Sequence, residues 1–108
     1  MADSSTNTLW QTVEGFDRLL EHRTRLGVCV LLARSDEMTF TRLRDLLEES
    51  DGAMGTHLRK LEDDGFTEVR KEFVSRRPQS WYRLTQSGRL RLEKHLAALT
   101  TLVAGIDP

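Results

Sequence analysis

Three features of the chain predict an α+β domain, mostly α. Two short amphipathic patterns over residues 40–64 meet at a polar break, the hydrophobic period changes from 3.6 to two directly after Gly65, and a Leu-rich stripe runs from Leu90 to Val103. A chain of 108 residues forms one domain with one modest core, burying roughly two-thirds of its unfolded surface.

Residues 1–7 are polar and read as a disordered N-terminal tail, with the folded domain spanning 8–104. From Thr8 a helical pattern carries Leu9, Val13, Phe16 and Leu20 on one stripe. Trp10 falls off it, either as part of a partner surface or folded back on its own core. The second helix covers about Arg23 to Arg34. Its apolar residues, Leu26, Val28, Val30, Leu31 and Leu32, lie almost all round, the signature of a central helix. Ser35-Asp36-Glu37 ends it, and Met38-Thr39-Phe40 is a short extended stretch, with Thr39 or Thr41 capping the next helix.

The third helix buries Phe40, Leu43, Leu46 and Leu47, and the fourth Met54, Leu58 and Leu61. Between them, Ser50 caps the fourth helix with Asp51 at its positive end, and Gly65 stops it. Two short helices across a tight polar turn form a helix-turn-helix. The outer face of the second of them, about residues 51–64, presents Gly52, Thr56, Arg59, Lys60 and Asp63, with Ala53 at its edge. Small or polar side chains followed by cations suit close approach to bases in a major groove.

Phe66–Phe73 and Ser80–Leu84 read as two strands joined by a loose cationic tip, Val74-Ser75-Arg76-Arg77-Pro78-Gln79, in which Pro78 blocks regular pairing and holds Arg77 extended. A hairpin directly after a helix-turn-helix is a wing. Its segment 73–80, with Arg76 and Arg77 at the tip, is placed to reach phosphates and the adjacent minor groove. Thr85 caps a last helix through Leu90, Leu92, Leu96, Leu99, Leu102 and Val103. The architecture expected is a winged helix-turn-helix with a two-stranded wing and terminal dimerisation helices. Leu9, Trp10, Val13, Phe16, Leu92, Leu96, Leu99 and Leu102 form the expected dimer surface, the alternative being that the last helix lies along its own core.

The formal net charge of −1 is no footprint of nucleic-acid binding, but its distribution is. Residues 70–91 hold seven cations, Lys71 among them, against the single acid Glu72. Cys29 is the only cysteine and sits in the apolar run 28–33, so it reads as a small core residue. With one Cys and no paired ligand spacing among His22, His57 and His95, no metal site and no cofactor is expected. No nucleophile–base or paired-carboxylate arrangement and no phosphate-cradling glycine loop stands out, so the chain reads as non-enzymatic. The lack of a signal-like leader or a long apolar run predicts a cytoplasmic protein without a membrane segment.

Leu58-Arg59-Lys60-Leu61-Glu62-Asp63-Asp64-Gly65-Phe66, followed by Arg76-Arg77-Pro78 and Tyr82-Arg83-Leu84-Thr85, resembles the bacterial and archaeal winged-helix transcriptional regulators. The resemblance is to the small single-domain group related to the multiple-antibiotic-resistance and arsenic-repressor regulators, and spans about residues 14–103. It implies a homodimer on a near-palindromic stretch of double-stranded DNA, usually a repressor, with room for an unknown small-molecule effector. Thr56 falls where such regulators contact bases, and His57 where they carry a groove-edge His, although on the wheel His57 lies nearer the buried stripe and equally reads as a half-buried packing residue. Arg59 and Lys60 become phosphate contacts, against the alternative of a plain solvated face. The chain departs from the group at Ala53 and Gly55, often Asn or Ser there, and at Arg23, where a Pro is common. It also lacks the arsenic-repressor Cys pairs, so metal sensing is not carried over. The rival is a winged-helix protein-interaction module that never touches DNA, which the acidic balance and Trp10 favour.

Overall fold

The computed structural model describes the backbone of residues 3–106 and the side chains of residues 9–106. The order is α1 (Asp3–Glu14), a 3₁₀ turn (Arg18–Glu21), α2 (Arg23–Arg34), β1 (Met38–Thr39), α3 (Phe40–Leu46), α4 (Asp51–Asp63), β2 (Thr67–Val74), β3 (Arg77–Leu84) and α5 (Gln86–Ala104). The strands form an antiparallel sheet in the order β1-β3-β2. The expected α+β, mostly α winged helix-turn-helix is what forms.

The first helix starts at Asp3, ahead of the Thr8 start expected, so the tail read over residues 1–7 is shorter; Met1 and Ala2 lie outside the described residues. This helix ends at Glu14 instead of running on to Leu20. Asp17 caps the separate 3₁₀ turn, its Oδ1 accepting from the Leu19 amide at 3.1 Å, and the turn delivers Leu20 to the core.

Helix α2 is central as its all-round apolar pattern demands, touching α4, α5 and β3. Val28, Cys29 and Leu32 from α2 meet Leu43 of α3, Met54, Leu58 and Leu61 of α4, then Phe66, Leu84 and Leu92. Burial pushes the Cys29 thiol up to about 12, with the nearby Asp17 carboxylate adding to the effect, so it remains an unreactive core thiol at neutral pH.

Local chemistry sets both ends of α4. Ser50 Oγ accepts from the Ala53 amide at 3.2 Å. At the far end Gly65 takes φ +81°, its amide donates to Glu62 O, and the Phe66 amide donates to Leu61 O, which closes the helix in a Schellman motif. The Thr85 amide then donates to Phe66 O at 3.0 Å, joining the start of α5 to this turn. A Cβ on Gly88 would fall 2.1 Å from that carbonyl oxygen, so glycine permits the close approach that fixes the base of the wing.

The wing differs from the expected loose loop. Pairing runs without interruption to Phe73↔Pro78 and Val74↔Arg77, leaving a two-residue turn, Ser75-Arg76. Both turn residues have positive φ, +52° and +67°, as in the primed turns that match strand twist. Pro78 fits because ladder hydrogen bonds alternate. Val74–Arg77 is the bonded pair beside the turn, so the Pro78 nitrogen faces the other edge, and β1 covers that edge only opposite Trp81 and Tyr82.

The two chain ends form an arm. Helix α1 packs along α5, and Phe16 lies against His95 with ring centroids 5.4 Å apart. The molecule measures 66 × 26 × 22 Å, and its radius of gyration is 16.7 Å. A compact chain of this length would have about 13 Å.

Candidate nucleic-acid interface

Helix α4 carries its apolar stripe inward and leaves Gly52, Thr56, Arg59 and Lys60 exposed, with Ala53 half-buried at the edge. A Cβ added to Gly52 or Gly55 would meet nothing within 4 Å. The fold therefore does not demand glycine at either place, although Gly in a helix interior is less favourable than Ala by about 0.8–1.0 kcal/mol. Thr56 Oγ1 donates to Gly52 O at 3.0 Å, which leaves its lone pairs facing outward.

The alternation of β2 puts Val69, Lys71 and Phe73 on the face toward α4, across from Tyr82, Ser80 and Pro78. Gly55, Arg59 and Glu62 of α4 line one groove with Phe40, Val69, Lys71, Ser80 and Tyr82. The outer flank of α4 and the inner face of the wing thus open onto a single concave side. Arg76 sits at the hairpin turn and Arg77 on the opposite face of the sheet from Lys71, both exposed.

The basic stretch 70–91 divides by function. Arg70 pairs with Glu37 and Glu72, each at 2.7 Å, and lies over the Trp81 ring. Arg83 pairs with Glu68 at 2.8 Å. Arg91 binds Asp17 at 2.8 Å and Asp64 at 2.6 Å while its guanidinium covers the Phe66 ring at 4.0 Å. These three are engaged within the subunit. Among the described residues, Lys71, Arg76, Arg77 and Arg89 form no ion pair, nor do Arg59 and Lys60. Of the seven cations counted along 70–91, Arg70, Arg83 and Arg91 are thus engaged within the subunit, Arg91 over the longest range. Arg91 ties the end of α4 to the 3₁₀ turn and α5, and the Asp17 partner lies 74 residues away.

His57 is half-buried and its surroundings favour the packing reading. A guanidinium only donates, so Arg25 Nη1 donates to His57 Nδ1 at 3.1 Å. The ring lies on His22, centroids 4.2 Å apart, and His22 Nδ1 accepts from the Thr24 amide to cap α2. Thr24 Oγ1 in turn donates to Glu49 at 2.8 Å, in the turn before α4. Burial, then the positive field of His22 and Arg25, holds His57 below the ordinary histidine range, with Glu49 opposing and Lys60 reinforcing. The unfolded chain therefore takes up this proton more readily than the folded one. Stability from neutral His57 is present above about pH 6.5 and is lost as pH falls through its lowered folded value. His57→Gln keeps an acceptor for Arg25 but does not titrate. Its melting temperature is expected to fall less than that of wild type between pH 7.5 and 5.5; parallel curves would remove His57 from this role.

Of the residues read as a dimer surface, Leu9, Trp10, Val13 and Leu96 are exposed on the arm, and Trp10 is 63% exposed. Leu99 and Leu102 are half-buried. Leu92 is a correction. At 2% exposure it belongs to the core of its own subunit, because α5 turns that side toward Phe66 and α2, and it has no surface left for a partner. Phe16 is likewise half-buried against His95.

A family model described as a winged helix DNA-binding domain matches residues 24–103. The chain belongs to the winged-helix DNA-binding family. This bears out the resemblance to winged-helix transcriptional regulators. The chain is 28% identical over 83 residues to an uncharacterized protein of Methanocaldococcus jannaschii, covering 77% of this chain and 90% of that one. Among solved structures it is similar to a transcriptional regulator homologue from Pyrococcus horikoshii, with TM-score 0.78, 24% identity, and coverage of 85% of this chain and 91% of that one. ZitR of Lactococcus lactis, a zinc-responsive MarR family member, shares the fold at TM-score 0.59 and 21% identity, over 76% of this chain and 56% of that one. Among the described residues of this winged-helix protein, no three His, Cys, Asp or Glu side chains cluster to hold a metal ion, and no helix is long and apolar enough to cross a membrane.

Proposed function

We propose that the protein is a sequence-specific regulator that binds double-stranded DNA as a homodimer and represses transcription. Helix α4 enters the major groove and the wing lies on the minor groove and backbone. Thr56 and Ala53 face base edges, and Arg59, Lys60, Lys71, Arg76 and Arg77 take phosphates or the minor groove. His57 acts from behind, by fixing α4 against α2.

The observation that carries this reading is the pair of glycines on the outer side of α4. Each makes the helix less stable, neither is required by a neighbouring atom, and Gly55 lies one helical turn before Arg59, which forms no ion pair among the described residues, in the groove that also holds Lys71. A bare backbone there is useful to a molecule that approaches closely, and the adjacent cations fit a polyanion. A protein-interaction surface would more often place large apolar side chains at this point.

Gly55→Ala separates the two effects. It is expected to raise stability by about 0.5–1 kcal/mol, read as the denaturant midpoint. It is also expected to weaken binding to DNA fragments selected by the wild type, while Thr56→Ala changes which fragments are selected. If Gly55→Ala is stabilised and binds DNA as tightly as wild type, close approach at α4 is excluded.

A further inference from the structure

We propose that Phe73, backed by Pro78, is an apolar wedge that the wing inserts into the DNA minor groove, bending the duplex. The inference rests on the DNA-binding function proposed above. Phe73 is 77% exposed, more than any other large hydrophobic side chain among the described residues. Nothing in the subunit covers it, so its ring adds little to the stability of the fold.

The position is specific. Phe73 is the last residue of β2 on the face toward α4, in register with Lys71 and Val69 behind it. Across the ladder stands Pro78, a rigid ring, and the turn just beyond carries Arg76, with Arg77 on the reverse face. The tip is a paired hairpin closed by two residues, so the aromatic ring is carried on a stiff support. Lys71 on the same face, Arg76 in the turn and Arg77 on the reverse face form no ion pair among the described residues, and arginine is drawn to the negative potential of a narrow minor groove. An aromatic residue delivered there has no hydrogen bond to offer. It contributes by sliding between base steps and partly unstacking them, which kinks the duplex toward the major groove. Flexible pyrimidine–purine steps kink most readily, so Phe73 would favour them beneath the wing.

The test uses the full chain and a DNA fragment selected by the wild type, labelled at both ends. Affinity is read by polarisation over a salt series and bending by energy transfer between the ends. Phe73→Ala is expected to melt like wild type, bind about three- to tenfold more weakly, keep the same log–log salt slope, and bend the fragment less, because an apolar contact releases no counterions. Phe73→Leu is expected to recover much of the bend. The double variant Arg76→Ala, Arg77→Ala removes four arginines from the proposed dimer and is expected to flatten the slope by about four. If Phe73→Ala binds and bends as wild type does while the arginine variant weakens, the wedge is overturned and the DNA-binding function stands. If wild type binds no fragment even at low salt, that function and the wedge fall together.

Discussion

Substituting Trp10→Glu together with Leu96→Glu is expected to yield a folded monomer whose affinity for a two-half-site operator falls by about a hundred- to ten-thousandfold. Both side chains are exposed on the arm, so a carboxylate on each costs the single subunit little. In a dimer each charge would be repeated by symmetry inside an apolar interface, and burying unpaired charges there is strongly unfavourable. The shape of the molecule argues for such an interface. An arm of two helices lengthens the subunit to 66 Å, and Leu9, Trp10, Val13, Leu96 and Val103 remain exposed on it. Two subunits joined there would carry two copies of α4, and the second binding event on a two-half-site fragment would become intramolecular. Sedimentation gives the mass, and a titration on the two-half-site fragment gives the affinity. A double variant that sediments as a dimer would place the interface elsewhere; an intact wild-type protein that sediments as a monomer would remove it.

The second large effect is expected at the wing. Arg76→Ala with Arg77→Ala is expected to weaken binding to every DNA sequence by about ten- to a hundredfold, with the order of preference among sequences unchanged. The physical reason is that, in the proposed complex, these side chains would neutralise phosphates, which carry no sequence information. Neither makes an ion pair within the subunit, so their removal leaves no carboxylate unpaired, in contrast to Arg70, Arg83 or Arg91. The fold should hardly change, because alanine at position 76 meets the same positive φ that arginine already adopts. Polarisation titrations on several unrelated fragments check this. Equal affinity of variant and wild type would show that the wing does not touch the duplex.

The expected wing was right in place and wrong in form. Reading Pro78 as an interruption assumed that every strand residue donates to the ladder. Half of them point the other way, and only the register decides which half; here Pro78 faces an uncovered edge. The same shift of the turn to Ser75-Arg76 brings Phe73 to the tip. Its period-two spacing from Val69 and Lys71 was already visible, and a two-residue turn was the missing information.

Where each helix begins and ends was written mostly in local chemistry. Thr39 before α3, Ser50 before α4 and Thr85 before α5 each accept from the amide three residues on, the Gly65 turn closes amides onto carbonyls three and five residues back, and apolar stripes at helical spacing fix which side is buried. Sequence by itself therefore determined the helix-turn-helix, the hairpin after it and the exposed face of α4. Tertiary structure alone decided which cations are free. Arg70 finds Glu37 at a separation of 33 residues and Arg91 finds Asp17 at 74. It also decided that Leu92 turns inward and that His57 leans on Arg25 and His22. A side chain's neighbours along the chain set its backbone, but whether its charge or apolar surface is available depends on groups that only folding brings within a few ångströms.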